Sequence, residues 1–226
     1  MGKHSVRFDI NSNLYLRDPQ GSEYGQKLLK NSILLFHELG FEAFTFKKLA
    51  QRINSTEASI YRYFQNKHVL LLYLTNWYWE WVSYLIDINT ININDAEEQL
   101  KIVIHNIVNA STESPLTEFI NENVLHQVII NEGSKAYHIH DVDDENKDGY
   151  FQSYKELVNK VSDLIVKYAP KFPYPKLLAS NLFEMANNQI YFAEHLPRLT
   201  DIRNRAKKFK DLEKAMNYMA FKLLAD

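Results

Sequence analysis

Residues 45–67 read TFKKLAQRINSTEASIYRYFQNK, a pattern that predicts two short helices joined by a tight turn. Thr45 can cap the first helix, expected over 46–53, because its hydroxyl accepts a hydrogen bond from a free amide of the first turn. Asn54 tolerates the left-handed backbone that such a turn requires. Either Ser55 or Thr56 can cap the second helix, expected over 57–64. Two helices in this arrangement form a helix-turn-helix, in which the later helix enters the major groove of DNA.

The second of these helices presents a polar face of the kind that contacts nucleic acid. Its apolar face is expected to consist of Ile60, Tyr61 and Phe64. The residues expected to be exposed are Glu57, Ala58, Ser59, Arg62 and Tyr63. They supply a cation, hydroxyl groups, a small side chain and a phenol, which suit phosphates and base edges. For Tyr61 we expect a mixed role, with a buried ring and a hydroxyl at the groove.

Helices are expected along the rest of the chain as well. Glycine and proline number only six each, which argues against a turn-rich β fold. One helix is expected from about Glu23 to Gly40, and a long one from Asn66 to about Asp87 is apolar almost all round, so it must be covered on several sides. Further helices are expected over 95–110, 115–131, 150–168, 175–196 and 201–224, and a solvated acidic loop over 141–149.

The composition excludes several classes of protein. The 226 residues are 46% apolar and 24% charged, which indicates a folded globular chain. The absence of cysteine excludes disulfide frameworks, thiol catalysis and cysteine-ligated metals. No nucleophile or phosphate-cradling motif is present, so neither an enzyme nor a cofactor is expected. No apolar run has the length of a membrane span or a signal peptide, so a cytoplasmic protein is expected.

One short segment has spacing that could suit a metal ion. His138 and His140, with Asp141 beside them, could share a face of an extended segment. No further ligand pattern lies nearby, so no metal site is expected.

Charge is distributed unevenly along the chain. Residues 1–70 carry ten Lys or Arg against six Asp or Glu, and the remaining residues carry sixteen against twenty-two. A basic N-terminal part on an acidic remainder is typical of a nucleic-acid-binding head. An imbalance of this size also arises by chance, so the helix-turn-helix pattern carries the prediction.

The segment from Ile33 to Leu72 resembles the TetR family of bacterial transcriptional regulators. The matching residues are Ile33, Phe36, Gly40, Phe41, Thr45, Leu49, Ala50, Thr56, Ser59, Ile60, Tyr61, Tyr63, Phe64, Lys67, Leu70 and Leu71. Three positions depart from the family's pattern, with Asn54 in place of glycine, Glu57 in place of a common Lys or Arg, and His68 in place of Glu. Asparagine can adopt the backbone of glycine, whereas Glu57 would repel a phosphate or accept from a cytosine amino group.

The pattern and the resemblance together imply a fold and a set of contacts. The expected fold is all-α, with an N-terminal three-helix helix-turn-helix domain joined by a long helix to a C-terminal helical bundle for regulation and dimerisation. The expected domains are an N-terminal arm (1–20), a DNA-binding domain (21–68) and a ligand-binding and dimerisation domain (69–226). The residues expected to contact double-stranded DNA are Thr45, Lys47, Lys48, Thr56, Glu57, Ala58, Ser59, Tyr61, Arg62, Tyr63 and Lys67. In the arm, Lys3, Arg7 or Arg17 could enter a minor groove, although a disordered, unused terminus is the favoured expectation.

The resemblance also implies a small-molecule pocket and a dimer. Trp77, Trp81 and Tyr84 recur at helical spacing, a stripe that forms either core or the wall of a pocket. The residues expected to line such a pocket are Trp77, Trp81, Tyr84, His105, Asn109, His126, Tyr154, Asn188 and Tyr191. The last two helices, with 182–196 and 201–224, are expected to form a four-helix bundle with a second copy.

Three functions remain open from the sequence. The favoured one is a homodimeric regulator that binds a palindromic operator and acts as a repressor gated by a small-molecule effector. The second is a helical interaction module whose head has lost DNA affinity through Glu57. The third is a helical enzyme built round the aromatic stripe, which the absence of a catalytic constellation disfavours.

Overall fold

The fold is all-α over the part of the chain that the structure describes. The computed structural model describes residues 6–110, 118–203 and 209–225. Helices α1 to α10 span Glu23–Ala43, Phe46–Ile53, Glu57–Tyr61, Lys67–Thr90, Ala96–Val108, Glu122–Glu132, Val142–Lys147, Gln152–Tyr168, Pro175–His195 and Lys210–Leu224. No strand occurs within these described ranges, which confirms the predicted fold class.

The chain divides into two compact units. The described residues of Met1–Glu80 and Ser111–Ser153 form the first unit, and those of Trp81–Ala110 and Tyr154–Asp226 form the second. Helix α4 contributes residues to both units, because it runs from Lys67 to Thr90. The sequence predicts a domain boundary at 68/69, and the division into units does not test it, so that boundary remains a proposal.

The first unit is built round α1 and the first half of α4. The Ser22 hydroxyl accepts from the Gly25 amide at 3.2 Å and so caps α1. Gly40 has φ 71° and ψ 170°, a left-handed backbone that suits glycine, and it breaks the regular turn where the sequence predicts the helix to stop. Residues 70–74 of α4 are completely buried, as the apolar character of that helix predicts.

The segment before α1 is packed, which corrects the expectation of a disordered terminus for its described part. Ile10 and Leu14 are buried, and a short 3-10 turn spans Ser12–Leu14. The Asn11 and Asn13 side-chain amides both donate to the carbonyl of Asp148, at 3.1 Å each. These apolar and polar contacts hold the segment on the first unit. Lys3 lies outside the described residues.

The acidic segment 141–149 is partly helical rather than a loop throughout. Helix α7 occupies its middle, with three carboxylates in the first turn, where the helix dipole favours negative charge. Glu145 pairs with His68 of α4 at 2.8 Å, and the Asn76 amide donates to the Tyr150 carbonyl at 2.8 Å. These long-range contacts give the segment an order that its local composition does not indicate.

The second unit contains α5, α8, α9 and α10 with the later part of α4. Its last helix is shorter than expected, because Asp201–Arg203 are not helical and regular helix begins at Lys210. Residues 204–208 of the expected helix, and the start expected at Ser114-Pro115, lie outside the described residues. No helix within the described ranges is long and apolar enough to cross a membrane.

Candidate nucleic-acid interface

The turn between α2 and α3 has the backbone that the sequence predicts. Thr45 caps α2, its hydroxyl accepting from the Lys48 amide at 3.2 Å. Asn54 lies in the left-handed region, with φ 54° and ψ 57°, and it ends α2. The Thr56 hydroxyl then accepts from the Ser59 amide at 3.3 Å and caps α3. The helix-turn-helix geometry is therefore encoded by local cap and turn chemistry.

The turn is tied to α1 by contacts that sequence reasoning missed. The Lys27 ammonium donates to the Ile53 carbonyl at 2.8 Å. The hydroxyls of Tyr24 and Ser55 are hydrogen-bonded at 2.9 Å. These partners lie more than twenty residues apart in the chain, so local patterns carry no signal for them. Both contacts join α1 to the residues around the turn between α2 and α3.

The two tyrosines of the recognition segment have exchanged the roles expected for them. Tyr63 was expected on the exposed face but is 3% exposed, and Tyr61, expected to have a buried ring, is 49% exposed. The reason is that α3 ends at Tyr61, and the Tyr63 amide donates to the Ile60 carbonyl at 2.8 Å in a tighter turn. Tyr63 is thereby turned inward, where its hydroxyl bonds to that of Ser22 at 2.9 Å.

Most of the other residues expected at DNA lie at the surface. Ser59 and Lys67 are half-buried. The exposed members are Thr45, Lys47, Lys48, Thr56, Glu57, Ala58, Tyr61 and Arg62. The first turns of α2 and α3 thus carry an outward surface of hydroxyl groups, cations and small side chains, which can reach phosphates and base edges.

The cations of this surface differ in what they contact. Lys48 donates to the Ala43 carbonyl at 2.7 Å, and Arg52 is paired with Glu38. For Lys47 and Arg62 the described residues supply no hydrogen-bond acceptor, so their charges face solvent. An exposed cation without an internal partner is free to neutralise a phosphate or to meet a guanine.

Lys67 has a structural partner that the sequence did not indicate. Its ammonium donates to the Phe41 and Glu42 carbonyls at 2.9 and 3.2 Å, and it lies 4.5 Å from the centroid of the Phe41 ring. A cation is unfavourable at the start of its own helix, but here it satisfies carbonyls at the end of α1. The ammonium of Lys67 is therefore bound to the end of α1 and does not extend into solvent.

Glu57 lies in the first turn of α3, where its carboxylate is exposed. Negative charge is stabilising at a helix N-terminus, so Glu57 has a local structural reason to be present. Since α3 has only five residues, favourable end effects weigh heavily in whether it forms.

The residues expected to line a small-molecule pocket are distributed over both units. Trp77 and His126 belong to the first unit and are buried, and His126 Nδ1 is hydrogen-bonded to the Tyr78 hydroxyl at 2.8 Å. The others belong to the second unit: Trp81 is buried, Tyr84, Asn109, Tyr154 and Tyr191 are half-buried, and His105 and Asn188 are exposed.

Two groups of these polar residues are engaged at the surface of the second unit. His105 Nδ1 lies 3.1 Å from Glu213, and the Asn109 amide reaches the same carboxylate at 3.3 Å. The Tyr154 hydroxyl donates to Glu184 at 3.0 Å. These contacts join neighbouring helices, which is a structural role.

The histidines of 138–141 do not form a metal centre within the described residues. His140 Nδ1 lies 2.9 Å from Asp141, and His138, His140 and Asp141 are all exposed. No group of three or more His, Asp or Glu that could hold a metal ion occurs in the described ranges.

Comparisons with known proteins agree with this geometry. Residues 28–74 match the family model for bacterial regulatory proteins of the tetR family. A helix-turn-helix with an exposed polar face is an arrangement that DNA-binding domains use. Over these residues the chain is similar to the DNA-binding domain of the TetR family.

Solved structures share the fold over most of the chain. A tetR-family regulatory protein from Rhodococcus RHA1 has a TM-score of 0.63 at 12% identity, covering 90% of this chain and 97% of its own. FadR from Bacillus subtilis, in complex with stearoyl-CoA, gives 0.61 at 14% identity, covering 88% and 96%. AibR, in complex with isovaleryl coenzyme A and operator DNA, gives 0.57 at 13% identity, covering 88% and 98%. No curated protein sequence matches the chain.

Proposed function

We propose that this protein is a homodimeric repressor that binds a palindromic operator and is released from it by a small-molecule effector. The observation that carries the proposal is the outward surface of α2 and α3, where Arg62 is exposed with no internal partner among the described residues. The capping hydroxyls of Thr45 and Thr56 lie on the same surface, and a hydroxyl that accepts from an amide can still donate to a phosphate.

The experiment that tests DNA reading is the selection of bound duplexes from random oligonucleotides, repeated with Arg62→Ala. We expect the wild-type protein to enrich a palindromic sequence, because two identical heads related by a two-fold axis read inverted half-sites. Arg62→Ala should relax the preference at one position of each half-site or weaken binding at all of them. Enrichment of no sequence by the wild-type protein would favour the interaction module instead.

The proposed dimer is supported by the outer side of α10. Leu212 and Met216 are buried within the chain, whereas Tyr218, Met219 and Leu223 are 71%, 41% and 55% exposed. The apolar residues of α10 therefore fall into two groups, one packed inside the chain and the other facing outward. An exposed apolar surface of this kind suits a protein partner, and a second copy of the chain is the simplest one. Light scattering that gives a monomer at micromolar concentration would refute the dimer.

The proposed effector is supported by the ligands of proteins with this fold. AibR was solved with isovaleryl coenzyme A and operator DNA, and FadR from Bacillus subtilis with stearoyl-CoA. In this chain α4 directly follows the helix-turn-helix and contributes to both compact units. A movement of α4 can therefore change the position of α2 and α3.

Release from DNA can be tested with those two thioesters as probes. Each is titrated into the complex of the protein with its selected operator, and free coenzyme A serves as the control. A lowered fraction of bound DNA with either thioester but not with the control supports acyl recognition. The effector must prefer the released state by several kcal/mol to empty the operator.

A further inference from the structure

The segment before α1 forms a strap, which we define as residues 8–20. The Gln20 carboxamide closes it, since Nε2 donates to the Phe8 carbonyl at 2.8 Å and Oε1 accepts from the Phe8 amide at 3.2 Å. The Phe8 ring meets Trp77 edge-on at 5.1 Å, and Ile10 and Leu14 are buried. The strap is thus held by its own hydrogen bonds and by the apolar interior of the first unit.

The strap passes beside the end of the recognition helix. The Leu16 amide donates to the Tyr63 carbonyl at 2.8 Å. The guanidinium of Arg17 lies over the Tyr63 ring, with its central carbon 5.4 Å from the ring centroid. Since Tyr63 directly follows Arg62, the strap places a second arginine next to the segment that is proposed to read DNA.

The cations of the first unit separate into two groups by their contacts. Lys27, Lys48 and Lys67 donate to backbone carbonyls, and Arg52 pairs with a carboxylate, so these four stabilise the fold. Arg17 is exposed, and no carbonyl or carboxylate of the described residues accepts from it. A guanidinium stacked on a ring keeps its in-plane N–H groups available and loses little freedom on binding an anion.

We propose that Arg17 contacts a DNA phosphate beside the groove that α3 enters, and that the strap fixes it there. The proposal rests on the proposed function, because it assigns one more contact of the same DNA interface. Arginine suits this role because its planar fork matches two phosphate oxygens. Such a contact adds affinity and fixes the position of the protein on the duplex without reading a base.

The test measures operator affinity against salt concentration for the full chain and three variants. The duplex is the one that the wild-type protein selects from random oligonucleotides. The variants are Arg17→Ala, Arg17→Lys and Arg7→Ala. Arg7 is a matched control, because it is also exposed and lies just before Phe8 at the other end of the strap.

We expect Arg17→Ala to lose one phosphate contact for each bound head. The slope of log affinity against log salt should become shallower by about 0.9 per head, and the affinity at moderate salt should fall about three- to tenfold. Arg17→Lys should keep the slope, since it keeps the charge. Arg7→Ala should change neither quantity.

Two results would overturn the proposal. One is a lower melting temperature of Arg17→Ala with an unchanged salt slope, which would mean that Arg17 only packs on Tyr63. The other is an equal slope change in Arg7→Ala, which would mean that a cation outside the strap serves equally well. If the wild-type protein itself binds no duplex, the proposed function fails, and this outcome is seen before any variant is compared.

Discussion

The outer sides of α3 and α10 are opposite in chemistry. Helix α3 exposes Glu57, Ala58 and Tyr61, with Arg62 directly after it. Helix α10 exposes Tyr218, Met219 and Leu223, and the first of these is 71% exposed. A face of charges and hydroxyls suits a charged polymer, and salt weakens that binding. An apolar face suits another apolar face, and salt does not weaken their association. The molecule therefore offers two surfaces whose partners can be separated by experiment.

The largest effect is expected from charging the apolar face. The double change Tyr218→Glu with Leu223→Glu should prevent dimers, because carboxylates buried between copies are costly. A monomer engages only one half-site, so we expect operator affinity to fall by at least about a hundredfold. Light scattering and a binding titration measure the two effects.

The matched control for this change is Val166→Glu on α8. Val166 is also an exposed apolar residue, at 44%, but it lies on neither of the two last helices. It should leave both the dimer and the affinity unchanged. Dimers that survive the double change would move the interface away from α10.

A second test concerns the buried histidine His126 and the pH dependence of stability. Burial lowers the pKa of His126 to about 4, from an ordinary value near 6.5. The unfolded chain therefore binds the proton more readily, so the contribution of His126 to stability is complete above about pH 6.5 and is lost as the pH falls toward 4. Between pH 7.5 and pH 5 the free energy of unfolding should fall by about 2 kcal/mol through this group.

Urea unfolding of wild type and His126→Gln at both pH values measures this contribution. The variant should lose the His126 part of the pH dependence, whereas His140→Gln, at an exposed position, should keep it. Equal pH dependence in wild type and His126→Gln would contradict a neutral, buried histidine.

The turn between α2 and α3 gives a third test, which concerns the polar surface and not the apolar one. Asn54 has a left-handed backbone, which alanine adopts at a cost of about 1 kcal/mol and glycine without that cost. Asn54→Ala should therefore lower the free energy of unfolding by about 1 kcal/mol, and Asn54→Gly should change it little. Chemical denaturation of both variants checks this, and equal destabilisation by the two would show that the Asn54 side chain matters more than its backbone.

The smallest expected effect separates the two tyrosines. Tyr63→Phe removes a hydrogen bond to Ser22 inside the unit and should lower the free energy of unfolding by about 0.5 kcal/mol. Tyr61→Phe removes an exposed hydroxyl, so it should leave stability unchanged and weaken operator binding. Thermal unfolding and a binding titration of each variant distinguish these results. The opposite pattern would restore the roles expected from the sequence.

Much of the reading head could be predicted because its signals are local. Thr45, Asn54 and Thr56 act on the backbone within three residues of themselves. Thr45 and Asn54 have the predicted roles, and of the two cap candidates Ser55 and Thr56 it is Thr56 that caps α3. The inward turn of Tyr63 could not be predicted in this way, because it depends on where a helix of five residues ends. The exposed α3 face was thus correct in outline and wrong at this residue.

The strap and α7 could not be predicted because distant residues order them. The amide of Asn11 meets the carbonyl of Asp148, 137 positions away in the chain. His68 meets Glu145 over a separation of 77 positions. Neither segment has helical periodicity, so local patterns alone favour a free arm and a solvated loop. Their order comes from tertiary contacts.

The close contact between the strap and α1 requires a glycine, which can be recognised in the sequences of related proteins. A Cβ added at Gly25 would lie 2.2 Å from the carbonyl oxygen of Pro19 and 2.6 Å from its Cα, so any side chain there displaces the strap. A related regulator that holds its first twenty residues in this way must keep glycine at the equivalent position. In a regulator with a larger residue at that position, the leading segment must follow a different path, and the residue equivalent to Arg17 must lie elsewhere.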